Sequence, residues 1–119
     1  MSKPNIVNGS NSRDNEELRF ALRKIRYQET SIINICDLNL VGKEIEQNDF
    51  SIDLSKEYFH QEEITAEDAK MLLQSSTIMN LVGKDIVGIA LNLNLAKKNS
   101  VKILGNVPFL MIFSFRGKY

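Results

Sequence analysis

The chain of 119 residues is 43% hydrophobic and 25% charged, which fits one domain with one core and excludes collagen-like and wholly disordered chains. Fifteen Lys and Arg balance fifteen Asp and Glu, so no bulk electrostatic attraction draws it to nucleic acid or to an anionic membrane. The single cysteine, Cys36, offers no intramolecular disulfide and fits a reducing compartment. No apolar run approaches the ~20 residues that span a bilayer, and Met1 to Asn15 lacks the apolar stretch of a secretory signal. The expectation is a soluble, cytoplasmic protein with no membrane partner.

Residues 1–17 are rich in Asn and Ser, with Ile6 and Val7 the only apolar residues after Met1. They read as a flexible N-terminal arm, because so little apolar surface cannot offset the entropy of ordering. Residues 18–119 read as a single α+β domain. Phe20 to Tyr27 and Ser31 to Cys36 are β-prone runs separated by Gln28, Glu29 and Thr30, a spacing that suits a hairpin. The alternative for the first run is a helix begun at Asp14, with Glu16 and Glu17 in its first turn; the strand is preferred. Asp37 is placed to cap a short helical turn from Leu38 to Lys43 that ends near Gly42. From Phe50 to Ser55 the residues alternate, putting Phe50, Ile52 and Leu54 on one side of a half-buried strand.

Thr65 and Asp68 have the spacing of a capping box, ahead of a helix whose apolar stripe is Ala69, Leu72 and Leu73. Ser75 and Ser76 end that helix. The run from Thr77 to Leu93 is apolar on almost every side and predicts a second, buried helix. Gly83 and Gly88 would then lie inside it, each costing about 1 kcal/mol relative to Ala, with Asn94 as a left-handed cap. Val101 to Leu104 and Phe109 to Phe115 read as the last two strands. The second of these is apolar on both faces, with Phe109, Met111, Phe113 and Phe115 on one and Leu110 and Ile112 on the other, which predicts an interior position. The sum is an α+β fold: a small mixed or antiparallel sheet of about five strands with two main helices packed on it. Asn39-Leu-Val-Gly-Lys43 recurs as Asn80-Leu-Val-Gly-Lys84, but nothing around the two copies repeats, so a solenoid is rejected.

Cys36-Asp37, Leu40 to Lys43, Phe50 to Leu54, Tyr58-Phe59 and Glu63, followed by Thr77 to Lys84, Ala90, Leu95, Val101, Ile103, Gly105 and Val107-Pro108, resemble one family over about residues 20 to 113. It is the archaeal family catalogued as domain of unknown function 424. The resemblance implies a small α+β protein of the archaeal cytoplasm and implies no activity. This chain departs from the family pattern after Val107-Pro108, where His, one residue and then Gln are common and Phe109 and Met111 stand instead. It departs again at His60-Gln61, where a glycine pair is usual. The resemblance therefore transfers no polar site to residues 109–111.

Few chemistries survive inspection. Cys36 and His60 are the only cysteine and histidine, and nothing in their spacing joins them as a nucleophile and base. His60-Gln-Glu-Glu63 is too poor in ligands for a structural zinc site, so no metal and no cofactor are expected. Gly42-Lys43 and Gly83-Lys84 lack the upstream glycine and the following Ser or Thr of a phosphate loop, and Glu44 and Asp85 follow the lysines. No catalytic residue is assigned.

The charge pattern is more informative. Glu44 to Asp68 hold nine acids and one base, Lys56. Arg19, Arg23, Lys24 and Arg26 crowd the first strand, and Lys97, Lys98, Lys102, Arg116 and Lys118 lie in a C-terminal stretch without acids. A sheet that brought these ends together would present phosphate-binding cations, with Tyr27, Phe115 and Tyr119 beside them to stack on unpaired bases. The expectation is a non-catalytic binding module that presents those nine cations to RNA or the ribosome, as an accessory to translation. The first rival is a protein-interaction module that docks through its acidic segment or its apolar last strand. The second is a small-molecule binder or enzyme with a pocket at Asp37, His60 and Asn80.

Overall fold

A computed structural model of the chain describes residues 18–114; the predicted arm, and Phe115, Arg116, Lys118 and Tyr119, lie outside the described residues. The fold is α+β. Strand β1 (Arg19–Tyr27) turns through Gln28 and Glu29 into antiparallel β2 (Thr30–Asp37), with Tyr27 opposite Thr30. A 3-10 turn (Leu38–Leu40) leads to a separate two-stranded hairpin, β3 (Glu44–Gln47) and β4 (Phe50–Asp53). Then come the one-turn helix α1 (Lys56–Phe59), strand β5 (Glu62–Thr65) and helix α2 (Ala66–Ser75). Strand β6 (Ile78–Val82), helix α3 (Lys84–Asn92), a 3-10 turn (Lys98–Ser100), β7 (Lys102–Leu104) and β8 (Val107–Phe113) complete the chain. The main sheet has the order β5-β1-β2-β6-β8-β7. It is mixed: β2 and β6 run parallel and every other pair is antiparallel.

Local chemistry explains several boundaries. At the start of α2 the Thr65 hydroxyl accepts from the Asp68 amide at 3.2 Å, and the Asp68 carboxylate accepts from the Thr65 amide at 3.3 Å. That reciprocal pair satisfies two otherwise orphaned N–H groups, a cap worth about 1 kcal/mol. Asn94, just past α3, takes φ = 60°, the left-handed conformation expected of it.

The long buried helix expected from Thr77 to Leu93 is corrected. Ile78 to Val82 form β6, and only Lys84–Asn92 are helical. An apolar run without polar interruptions describes a strand buried on both faces as well as a buried helix. Here the slot between β2 and β8 needs a strand, with Asn80 opposite both Asn34 and Met111. Gly83 follows with φ = 121°, a value no helix interior contains, so it separates β6 from α3 rather than lying inside a helix. Six sheet strands plus the hairpin replace the predicted five, because β6 reads as helix and β3 and β5, with one apolar residue each, show no alternation. The turn expected over Leu38 to Lys43 shortens to one 3-10 turn, and the Asp37 side chain does not cap it.

Two apolar clusters lie on opposite faces of the sheet. On the first face Phe20, Leu22, Ile33, Ile35, Met79, Leu81, Leu110 and Ile112 meet Ala69 and Leu73 of α2 and Ile86, Val87 and Ala90 of α3. Each buried Leu, Ile or Phe there contributes on the order of 1.5–3 kcal/mol. On the second face Cys36, Val82 and Val107 pack under Ile45, Leu54 and Phe59 of the hairpin and α1. That lobe covers only part of the second face. The strand expected to be covered on both sides, β8, therefore leaves Met111 and Phe113 about 60% exposed. Phe50, expected to face inward, is exposed as well, because the β3–β4 hairpin stands apart from the main sheet. No helix among the described residues is long and apolar enough to cross a membrane.

Candidate functional site

The uncovered part of the second face is built from in-register rows. One row runs Ile25, Ile32, Ile78, Phe113 across β1, β2, β6 and β8; the next runs Arg23, Asn34, Asn80, Met111. The third row, Ala21, Cys36, Val82, Phe109, lies under the lobe. Since side chains alternate along a strand, Tyr27 shares this face with Ile25. Tyr27 is 64% exposed and Met111 62%, while Ile25, Ile32 and Ile78 are half-buried. Tyr58 borders the patch from α1, exposed, with its ring edge-on to Phe59 at 5.5 Å. The result is an apolar strip with tyrosines at its margins.

The middle row is polar, and it is tied to the lobe. Asn34, only 1% exposed in the centre of β2, donates from Nδ2 to the Tyr58 carbonyl at 3.3 Å. Its Oδ1 accepts from Asn80 Nδ2 at 2.9 Å. Arg23 donates from Nη1 to the Glu57 carbonyl at 2.6 Å. Two side chains of this register row, Arg23 and Asn34, thus anchor α1, and Asn80 braces the second of them.

A second polar centre sits at the carboxyl ends of the parallel strands β2 and β6. Asp37, buried, accepts from the Asp85 and Ile86 amides, each at 2.9 Å, and so caps α3 across the sheet. Burial raises its carboxyl above the ordinary value, partly offset by those two hydrogen bonds. Cavities of 320 Å³, with Arg19, Asn39 and Asp85, and of 140 Å³, with Asn39, Lys84 and Asn106, open on either side of it. Because the carboxylate already occupies the amides at the helix start, the place an anion would take is filled. Next to it, burial and the Asp37 charge push the Cys36 thiol up to about 12, the reverse of an activated nucleophile. Asp37 stands on the first face of the sheet and Asn80 on the second, so the pocket imagined at Asp37, His60 and Asn80 is not assembled. Among the described residues no cluster of three or more His, Cys, Asp or Glu is placed to hold a metal ion.

The predicted cations fall into two groups that the topology keeps apart. Arg19, Arg23, Lys24 and Arg26 ride on β1, and Lys102 on β7, with Lys97 and Lys98 at the 3-10 turn before it. Between β1 and β7 stand β2, β6 and β8, a separation of roughly 19 Å at the usual strand spacing. Among the described residues the expected merged cationic surface does not form: the parallel pairing of β2 with β6 fills the middle of the sheet and holds the β1 and β7 cations apart. Alternation divides β1 further, with Arg19 and Arg23 on the second face and Lys24 and Arg26 on the first. Arg19 is paired with Glu63 at 3.3 Å. Lys24 lies on the helix side, in a cavity of 410 Å³ with Leu72 and Ser75. Arg116 and Lys118 lie outside the described residues.

The residue missed from the sequence was Asn34; Asn80 was named, but for a pocket with Asp37 and His60 rather than as the partner of Asn34. One signal was present: Asn34 interrupts the apolar run Ile32 to Cys36, and a strand-centre amide flanked by isoleucines needs a partner. That the partner is Asn80 is set by pairing 46 positions away.

None of the curated proteins compared with this chain matches it. Among solved structures, one described as an uncharacterized conserved protein from Methanopyrus kandleri superposes with a TM-score of 0.70 at 19% sequence identity, covering 85% of this chain and 97% of that one. That likeness shows the fold alone. Residues 25–115 match the family described as Protein of unknown function (DUF424), a span of most of the chain, and the protein belongs to that family.

Proposed function

We propose that this protein is a non-catalytic module that binds single-stranded RNA on the open part of its sheet. One observation carries the reading: the uncovered face combines exposed Tyr27 and Tyr58 at its margins, an isoleucine strip between them and Arg23 in the adjoining row. Unpaired bases stack on aromatic and flat apolar surfaces, and nearby cations take the phosphates. Stacking contributes about 1–3 kcal/mol per base, which lets a face bind RNA even on a chain of zero net charge. Arg23, in the adjoining row, and Lys102, on the far side of β8 opposite Phe109, supply phosphate contacts on this face; no merged cationic field is needed.

Fluorescence anisotropy with a labelled ten-nucleotide RNA of mixed sequence tests this. Binding is expected at low salt, with log K falling by about 2 per decade of salt if about three phosphates are neutralised. Tyr27→Ala is expected to weaken binding about tenfold or more, while Phe50→Ala, an exposed aromatic on the separate hairpin, leaves it unchanged. Absence of any anisotropy change at low salt rejects the reading. Retention of a protein partner from the native cell after nuclease treatment, with no direct RNA binding, favours the docking alternative.

A further inference from the structure

The buried amide pair dictates the chemistry of the cavity beside it. The Tyr58 carbonyl can only accept a hydrogen bond, so Asn34 must turn its Nδ2 toward α1 and its Oδ1 toward β6. Facing an acceptor, Asn80 must in turn present Nδ2 to Asn34. Its own Oδ1 is thereby directed away, toward β8, with its orientation set through Asn34 by the Tyr58 carbonyl of α1. Among the described residues that oxygen has no donor. Asn80 is half-buried and lines a 320 Å³ cavity with Ser100, Lys102, Phe109 and Met111.

This cavity offers one oriented acceptor, apolar walls from Phe109 and Met111, and a cation with a hydroxyl at its rim. A flat apolar ligand with an N–H donor on one edge and a negative charge on the other side fits that set. Resting on the RNA reading above, we infer that the cavity is the subsite for one unstacked nucleobase that carries its amine at purine C6 or pyrimidine C4, adenine or cytosine. The amine donates to Asn80 Oδ1, and Lys102 takes a phosphate of the same nucleotide. With Lys102 holding the phosphate, uracil and guanine present a carbonyl oxygen at that position instead, and bringing their ring N–H groups to Oδ1 requires the base to turn out of that seat. Asn34 touches no ligand here; it is a positioning residue that sets which end of the Asn80 amide faces the cavity.

The experiment is anisotropy of the full chain with labelled (A)8, (C)8 and (U)8 at one salt concentration. Oligo(A) and oligo(C) are expected to bind about tenfold tighter than oligo(U), and Asn80→Ala to remove that preference while keeping the weaker affinity for oligo(U). Agreement between oligo(A) and oligo(C) separates amine recognition from the self-stacking of adenines. Because Asn80→Ala also strips Asn34 of its donor, ¹H–¹⁵N spectra of the unmodified protein supply an independent readout: AMP and CMP are expected to shift the Asn80 side-chain amide, UMP at equal concentration to leave it in place. Equal binding of all three oligomers overturns the subsite and leaves the RNA reading standing; no binding of any oligomer overturns both.

Discussion

Asn-Leu-Val-Gly-Lys occurs twice, and the two copies adopt different secondary structure. The first, residues 39–43, follows β2 as a 3-10 turn and a loop, with the Gly42 amide bonded to the Leu54 carbonyl to hold the lobe. The second, residues 80–84, is the end of β6, a glycine corner and the first residue of α3. Five identical residues thus form a loop in one place and a strand-to-helix junction in another. Surroundings decide: Asn80 to Val82 are flanked by β2 and β8, which offer hydrogen bonds on both sides, whereas Asn39 to Val41 pair with no strand. The two glycines also differ. Both have positive φ, 91° at Gly42 and 121° at Gly83. A Cβ at Gly42 would meet nothing within 4 Å, while one at Gly83 would meet Asp37 Cβ at 2.8 Å and lie still closer to its carboxylate.

Substituting each glycine breaks the comparison most sharply. Gly42→Ala should cost about 1 kcal/mol, the backbone strain alone. Gly83→Ala adds a collision with a buried carboxylate that is itself held by two amides, and is expected to cost about 3 kcal/mol or more. Urea unfolding of the two variants measures the gap. Equal losses would show that the backbone conformation, and not the approach of Asp37, is what the second copy needs.

Next in size is the cap itself. Asp37→Ala leaves the Asp85 and Ile86 amides without their acceptor and is expected to destabilise the fold by about 2 kcal/mol. Asp37→Asn, which keeps one accepting oxygen, should lose about half as much. Amide exchange at Asp85 and Ile86 should accelerate in both variants, more in the alanine one. Exchange at Thr65 and Asp68, capped within their own helix, should stay as it was.

Those two caps also mark how far sequence reasoning reached. Thr65 and Asp68 are three positions apart, so pattern alone located the α2 start, as it did the β1–β2 hairpin and the left-handed Asn94. Asp37 and its target amides are 48 and 49 positions apart, so the same residue type was assigned to the nearest turn instead. The β6 error has a related origin: Ile78 to Val82 are apolar on both sides of a strand for the same reason a buried helix would be, and only the partners distinguish them. Of the candidate site, the cations were visible as residues, and Tyr27 as a neighbour of them. The Asn34–Asn80 pair was not, since its meaning lies in a register between strands with two helices and a hairpin between them in the chain.

The smallest expected effect is the dependence of the Asp37 cap on pH. Desolvation is the largest influence on the Asp37 carboxyl and raises it; the amides of Asp85 and Ile86 lower it, the Asp85 charge raises it and Lys84 lowers it, and the net direction is up. A carboxyl that holds its proton more tightly when folded stabilises the fold most below its ordinary pKa, and that contribution is lost as pH rises through the raised value. The stability of the wild-type chain relative to Asp37→Asn should therefore decline as pH climbs above about 4, measured by urea unfolding at a series of pH values. The two hydrogen bonds argue the other way, since an ionised carboxylate accepts both and a protonated one must surrender one. A relative stability that rises with pH would mean that the α3 cap outweighs burial, and that the Asp37 corner is strongest with its charge in place.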